Sequence, residues 1–352
     1  MQFIVRCFWH RDERRLRAFW RLIVQLLIFI PLAVVMSLVI GVLSLGWLVA
    51  VEGLSVREVA GVEMVQVLMG SPAFQVANHL IVGLAMTGSV WLAGRWVDRR
   101  RFAGFGLHPD RTWWGDFGFG LLLGALLMGV IFLFQLAVGW VRVTGTWVVY
   151  RPDASFALSF LTPLISYVLV GIYEELFSRG YQLKNLAEGL RFLGPRGAVL
   201  AATFLSSAVF GILHAANPNA TLLSTLNLVV AGFFLATGYV LTGELAIPIG
   251  LHISWNLVQG NVFGFPVSGT GARAATVIAT QQQGPALWTG GAFGPEGGLL
   301  GLVIMLAGIA LTVAWVRWRR GQVGLHVQLA ESPVREGRWA GDEPQSPASA
   351  AL

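Results

Sequence analysis

Long apolar runs separated by short arginine-rich stretches set the pattern of this chain. The runs lie at about Leu22–Val51, Ala73–Gly94, Asp116–Val141, Phe156–Leu176, Ala198–Ala215, Leu222–Leu241, Leu245–Phe265 and Leu299–Trp315. A helix needs about 20 apolar residues to cross a hydrocarbon core of roughly 30 Å, and these runs meet that length or come close to it. They predict an all-α polytopic membrane protein with about eight transmembrane helices around a polar cavity. Between the fourth and fifth runs, Leu183, Leu186, Leu190 and Leu193 recur at helical spacing, which predicts an amphipathic helix over Gln182–Leu193 lying on the membrane face, or an ordinary connecting helix.

Composition agrees with the pattern. The chain has 352 residues, of which 55% are hydrophobic and only 12% charged, with a mean hydropathy of +0.68. The net charge of +6 does not indicate a nucleic-acid partner, because the arginines fall between apolar runs rather than along one helix face. They read as orientation signals instead. Arg6, Arg11, Arg14, Arg15, Arg17 and Arg21 precede the first run, Arg95, Arg99, Arg100 and Arg101 follow the second, Lys184, Arg191 and Arg196 follow the fourth, and Arg317, Arg319 and Arg320 follow the last. With eight crossings every cluster falls on one side, which the positive-inside rule makes cytoplasmic, together with both termini. The expected setting is the plasma membrane of a prokaryote, with the lipid bilayer as the first partner. The single cysteine, Cys7, excludes an internal disulfide and any multi-cysteine metal site.

The organisation expected is a basic cytoplasmic segment at 1–21, three helices within 22–141, a core at 156–265, an external irregular Gly-rich loop at 266–298, a last helix at 299–316 and a disordered cytoplasmic tail at 321–352. The loop from Glu52 to Pro72, with Arg57 and Glu63, and the stretch from Arg142 to Ser155 join helices on the outer side. No internal repeat and no phosphate-binding glycine loop is present.

Against this apolar background the ionisable residues of the core stand out. A charge inside the bilayer costs roughly 2.5–3.5 kcal/mol even on lenient scales, so it needs a partner, water or a task. Glu174 and Glu175 end the fourth run, and they either mark the water boundary of a span or serve a site. On a helix Glu175 and Arg179 share a face, while Glu174 points about 100° away, which predicts a Glu175–Arg179 pair and a free Glu174 turned toward histidines. His214 ends the fifth run, and His252 and Asn256 lie one turn apart on the seventh. Glu174 with one histidine can activate a water while the other histidine and the Asn256 amide stabilise an oxyanion. Alternatively, Glu174, His214 and His252 can hold a zinc ion, although the compact His-Glu-x-x-His signature is absent.

The order Glu174-Glu175-x-x-x-Arg179, Phe210-x-x-x-His214 and His252-x-x-x-Asn256, on successive apolar segments, resembles the CPBP family of CAAX prenyl endopeptidases and abortive-infection homologues. The resemblance covers about Phe156–Phe265. It implies an intramembrane endopeptidase of eight helices with Glu174, His214, His252 and Asn256 as the catalytic set, and Glu175 and Arg179 in support. The family is commonly labelled a metalloprotease, and a metal-free glutamate mechanism is argued for its CAAX-cleaving members, so Zn2+ is an optional cofactor. The expected substrate is a peptide or protein, lipidated or not, reached from a cavity open to the cytoplasm. A transporter or proton relay, which also buries Glu and His, and a non-catalytic scaffold or immunity factor are the competing readings. The span boundaries carry one conflict: Glu174 falls at the cytoplasmic end of its helix and His214 at the outer end of the next, too far apart to meet.

Overall fold

The structure is a computed structural model that describes residues 7–50, 55, 72–150, 154–271 and 274–332. The expected loop 52–71, with Arg57 and Glu63, lies outside the described residues, as do residues 333–352 of the tail. The main helices are α1 (Ala18–Ala50), α2 (Pro72–Ala93), α3 (Arg111–Ala137), α4 (Phe156–Glu175), α5 (Lys184–Gly189), α6 (Gly194–Leu213), α7 (Leu222–Thr242), α8 (Ala246–Leu257) and α9 (Leu299–Arg320). Their ends follow the local chemistry. Asp110 and Ser155 accept hydrogen bonds from Trp113 N and Leu158 N at the starts of α3 and α4, Thr221 and Ser224 form a capping box on α7, and Gly243 and Gly321 close α7 and α9 in the left-handed conformation.

Among the described residues seven helical stretches are long and apolar enough to cross a membrane, and the chain is a polytopic membrane protein. The apolar run at 245–265 takes a different form. Its helix α8 has 12 residues, continues through wider π turns to Val262, and is buried within the bundle. Two glycine contacts hold it there. A Cβ on Gly250 would lie 2.3 Å from the Phe117 carbonyl of α3, and one on Gly171 would lie 2.6 Å from Ile253, so α8 approaches α3 and α4 at backbone range.

The region expected to be a separate amphipathic helix is instead the end of the fourth span. After Glu175 the helix widens into π turns over Leu176–Leu183 and runs on through α5, giving one continuous helical stretch Phe156–Gly189. The physical reason is burial. Lys184, Asn185 and Glu188, which would face water on a surface helix, are buried, and Glu188 pairs with Arg15, Arg21 and Arg100. The loop expected to be irregular also carries order. Strand β4 (Ala275–Gln282) pairs antiparallel with β3 (Val141–Val149), with a register shift between Val143 and Gly145. A short N-terminal ladder pairs β1 (Trp9–His10) with β2 (Arg15–Leu16).

The tail departs from expectation up to Ser332. Leu329 is 1% exposed in the main core cluster, His326 N donates to Val240 O at 2.7 Å, and Arg15 Nη2 donates to Ser332 Oγ at 2.7 Å. The apolar residues Leu325 and Leu329 give this segment enough surface to bury against the basic end of the bundle, which the polar remainder of the tail lacks.

Candidate active site

The extension of the fourth span through Gly189 removes the conflict over depth. Glu174 lies in the middle of a continuous helix, about 22 Å from its basic end at 1.5 Å per residue, and His214 stands about 30 Å from the start of α6 at Gly194. The two residues are thus separated by far less than the length of a span, and both line a cavity of about 790 Å³ with His252 and Asn256.

Glu175 is fully buried, and its Oε1 accepts a hydrogen bond from Arg179 Nη1 at 2.7 Å, as the four-residue spacing predicts. Arg179 reaches further. Its Nη2 donates to Gly232 O of α7 at 3.1 Å, and its guanidinium stacks 4.6 Å over the Phe210 ring of α6. The pair thereby ties α4 to the two helices beside it.

The expectation for the two glutamates needs one correction. Glu174 is turned into the cavity, with a side chain 27% exposed, but Glu175 is the carboxylate closer to His252. His252 Nδ1 lies 2.8 Å from Glu175 Oε1, while its Nε2 lies 3.9 Å from Glu174 Oε2. Glu175 therefore orients an imidazole in addition to pairing with Arg179. The helical-face argument missed this because it treated α4 alone, and the second partner of Glu175 arrives from α8.

His214 is oriented by the backbone. Its Nδ1 lies 2.7 Å from the Phe210 carbonyl, and a carbonyl only accepts, so Nδ1 carries the hydrogen and the Nε2 lone pair is free in the neutral ring. His252, with Nδ1–H directed to a carboxylate, likewise presents Nε2. Such tautomers suit metal ligands. Among the described residues no three His, Cys, Asp or Glu side chains form a ready metal-binding group. Glu174 and His252 approach each other, and His214 does not join them.

Residues not singled out from the sequence also reach the site. His79, on α2, lines the cavity, and Tyr173 Oη lies 3.5 Å from its Nδ1. Its only signal in the sequence is a polar ring in an apolar helix. Glu296, 4% exposed, accepts hydrogen bonds from Ser268 Oγ at 2.9 Å and Trp255 Nε1 at 3.5 Å, and it lines a second, small cavity beside His214 and His252. Burial pushes its carboxyl above the ordinary carboxylate range. It sits in a glycine-rich loop with no spacing signal.

The lining of the main cavity extends on both sides of Glu174, to Met86, Phe177 and Ser178 in one direction. Its lining continues from Glu174 past Thr162, Phe74 and Asn217 to Thr270 and Ala274, residues at or near the opposite end of the bundle.

Residues 156–258 match the family of type II CAAX prenyl endopeptidases described as Rce1-like. The chain is also 28% identical over 186 residues to the uncharacterized protein YyaK of Bacillus subtilis (strain 168). That similarity covers 51% of this chain and 58% of the relative's length. No solved structure matches. Residues 156–258 hold α4 to α8 and every residue of the motif set, and this polytopic membrane protein thus carries an Rce1-like domain of the type II CAAX prenyl endopeptidase family.

Proposed function

We propose that the protein is an intramembrane endopeptidase that hydrolyses a peptide bond with water activated by Glu174. The observation that carries this reading is the convergence of Glu174, His214, His252 and Asn256, from three helices, on one cavity within a membrane bundle. Glu174 accepts a proton from water, and the hydroxide formed attacks the carbonyl carbon of the scissile bond. The Asn256 amide donates to the developing oxyanion. His214 donates to it from Nε2 in the imidazolium form, while the Phe210 carbonyl holds its other N–H. Glu174 then returns the proton to the leaving amine, which balances the hydrolysis. His252, fixed by Glu175, positions the Glu174 carboxylate and the water.

Cleavage of a reporter peptide by the purified full chain tests this. Glu174→Gln is expected to lower the rate by about 10²–10⁴-fold, the usual contribution of a general base, with folding retained. Full activity in that variant overturns the reading. Metal content measured with activity under a chelator assigns the cofactor: activity that survives chelation matches this mechanism, and activity that tracks one bound zinc replaces Glu174-only activation with a metal-bound water.

A further inference from the structure

Glu296 is a buried carboxylate that the cleavage chemistry leaves without a task. It stands outside the matched residues 156–258, in a short turn, Pro295–Gly297, that leads into α9. Its two oxygens serve different parts of the site. Oε1 accepts from the backbone N–H of Ser268 and, at 2.9 Å, from Ser268 Oγ, while Oε2 accepts from Trp255 Nε1 at 3.5 Å. Burying a carboxylate is costly unless its oxygens are bonded, so these contacts hold the neighbours as firmly as they hold Glu296.

Each arm ends beside one of the two groups assigned to the oxyanion. Trp255 immediately precedes Asn256 on α8, and its ring packs edge-on against Phe234 of α7 at 5.8 Å. Ser268 follows α8, and its carbonyl accepts from Asn217 Nδ2 at 3.0 Å, three residues beyond His214 at the end of α6. The segment around Ser268 is tightly held. Gly269 N donates to Phe293 O at 2.7 Å, a Cβ on Gly269 would lie 1.7 Å from the Pro218 carbonyl, and one on Gly294 would lie 2.2 Å from the Pro266 carbonyl. Ser268 itself has a φ of 46°, a left-handed conformation that a residue other than glycine keeps only where its surroundings enforce it. Glu296 supplies part of that enforcement, and the small cavity it lines is shared with His214 and Asn256.

We propose that Glu296 is a positioning residue that braces both oxyanion donors, Asn256 through Trp255 and His214 through Ser268 and Asn217. The role rests on the function proposed above and adds to it a residue from outside the matched region. Glu296 acts at one remove from the reacting atoms. It governs how accurately the Asn256 amide and the His214 ring meet the developing charge, and misplacement of such donors lowers turnover more than binding.

Kinetics of reporter-peptide cleavage by the full chain test this. Glu296→Gln keeps one oxygen for Ser268 and turns an amide NH2 toward the Trp255 N–H, which it cannot accept, so the arm to Asn256 is lost with little change of shape. The variant is expected to lower kcat by about 10-fold or more with KM within about 3-fold. In an Asn256→Ala background that arm has no donor left to position, and the same substitution is expected to change kcat by less than about 3-fold. Trp255→Phe removes the donor from the other side of the bond, is expected to give the same pattern, and stands in if Glu296→Gln does not fold. An unchanged kcat, a rise in KM alone, an equal loss in both backgrounds, or loss of folding in both variants overturns the proposal and leaves Glu296 as loop packing. Glu174→Gln separates the two readings. Intact cleavage there means that the function itself has failed, whereas its loss together with full kcat in Glu296→Gln removes only this inference.

Discussion

The residue with most of its surroundings committed to it is Glu175. One carboxylate oxygen receives both Arg179 and His252 in a fully buried setting, and the other, Oε2, is buried without a protein partner. Removing one member of such a group leaves an uncompensated charge, which costs about 3–5 kcal/mol in known buried pairs. Arg179→Ala is therefore expected to be strongly destabilising, read as a large drop in thermal midpoint in detergent. It also removes the stack on Phe210, whose ring lies 4.6 Å from that of His214, so orientation of that histidine is lost with it. Arg179→Lys keeps the charge but not the forked contact to Gly232 O, and should fall between. The motif's spacing made the Glu175–Arg179 pair legible. The bond from Glu175 to His252 was not, because 77 residues of chain separate the partners.

Among the elements, α8 decides the site, and its placement depends on close backbone crossings. A Cβ on Gly120 of α3 would lie 2.4 Å from the Ile247 carbonyl of α8. Gly120→Ala is expected to cost about 1–3 kcal/mol through overpacking and to lower cleavage by shifting His252 and Asn256, while a substitution to Ala at Gly118, which has open space around it, should be neutral in the same assays. The segment after α9 offers a pH test. Burial holds the His326 imidazole down at about 4, with Lys184 and Arg320 adding to the effect. A depressed histidine favours the docked state while neutral, so docking is complete above the ordinary value of about 6.5 and weakens as pH falls from there toward about 4. Hydrogen exchange of residues 325–330 should accelerate across that window in the native chain and lose its pH dependence in His326→Phe.

For the whole molecule, the basic end acts as a clamp on segments far apart in sequence. Arg15, Asp98, Arg100, Glu188 and Ser332 meet there, so the N-terminal segment, the end of α2, the end of the fourth span and the C-terminal segment close on one carboxylate. Glu188→Ala leaves three arginines without their common partner and is expected to destabilise the fold by about 3–5 kcal/mol, seen as loss of folded protein in detergent, whereas Glu188→Gln should be milder.

The sequence by itself determined the membrane class, the grouping of the basic clusters on one side and the motif residues, because hydrocarbon length and the cost of intramembrane charge act on local sequence. Its span boundaries went wrong where polar residues sit inside the protein. Lys184, Asn185 and Glu188 look like the end of a span, yet they are buried, and Glu188 is neutralised there by Arg15, Arg21 and Arg100 from distant parts of the chain. That extension places Glu174 within the helix, where it lines one cavity with His214, His252 and Asn256. Tertiary structure alone decided these points, and likewise the contributions of His79 and Glu296, since a buried charge or ring takes its meaning from partners that the chain supplies from elsewhere.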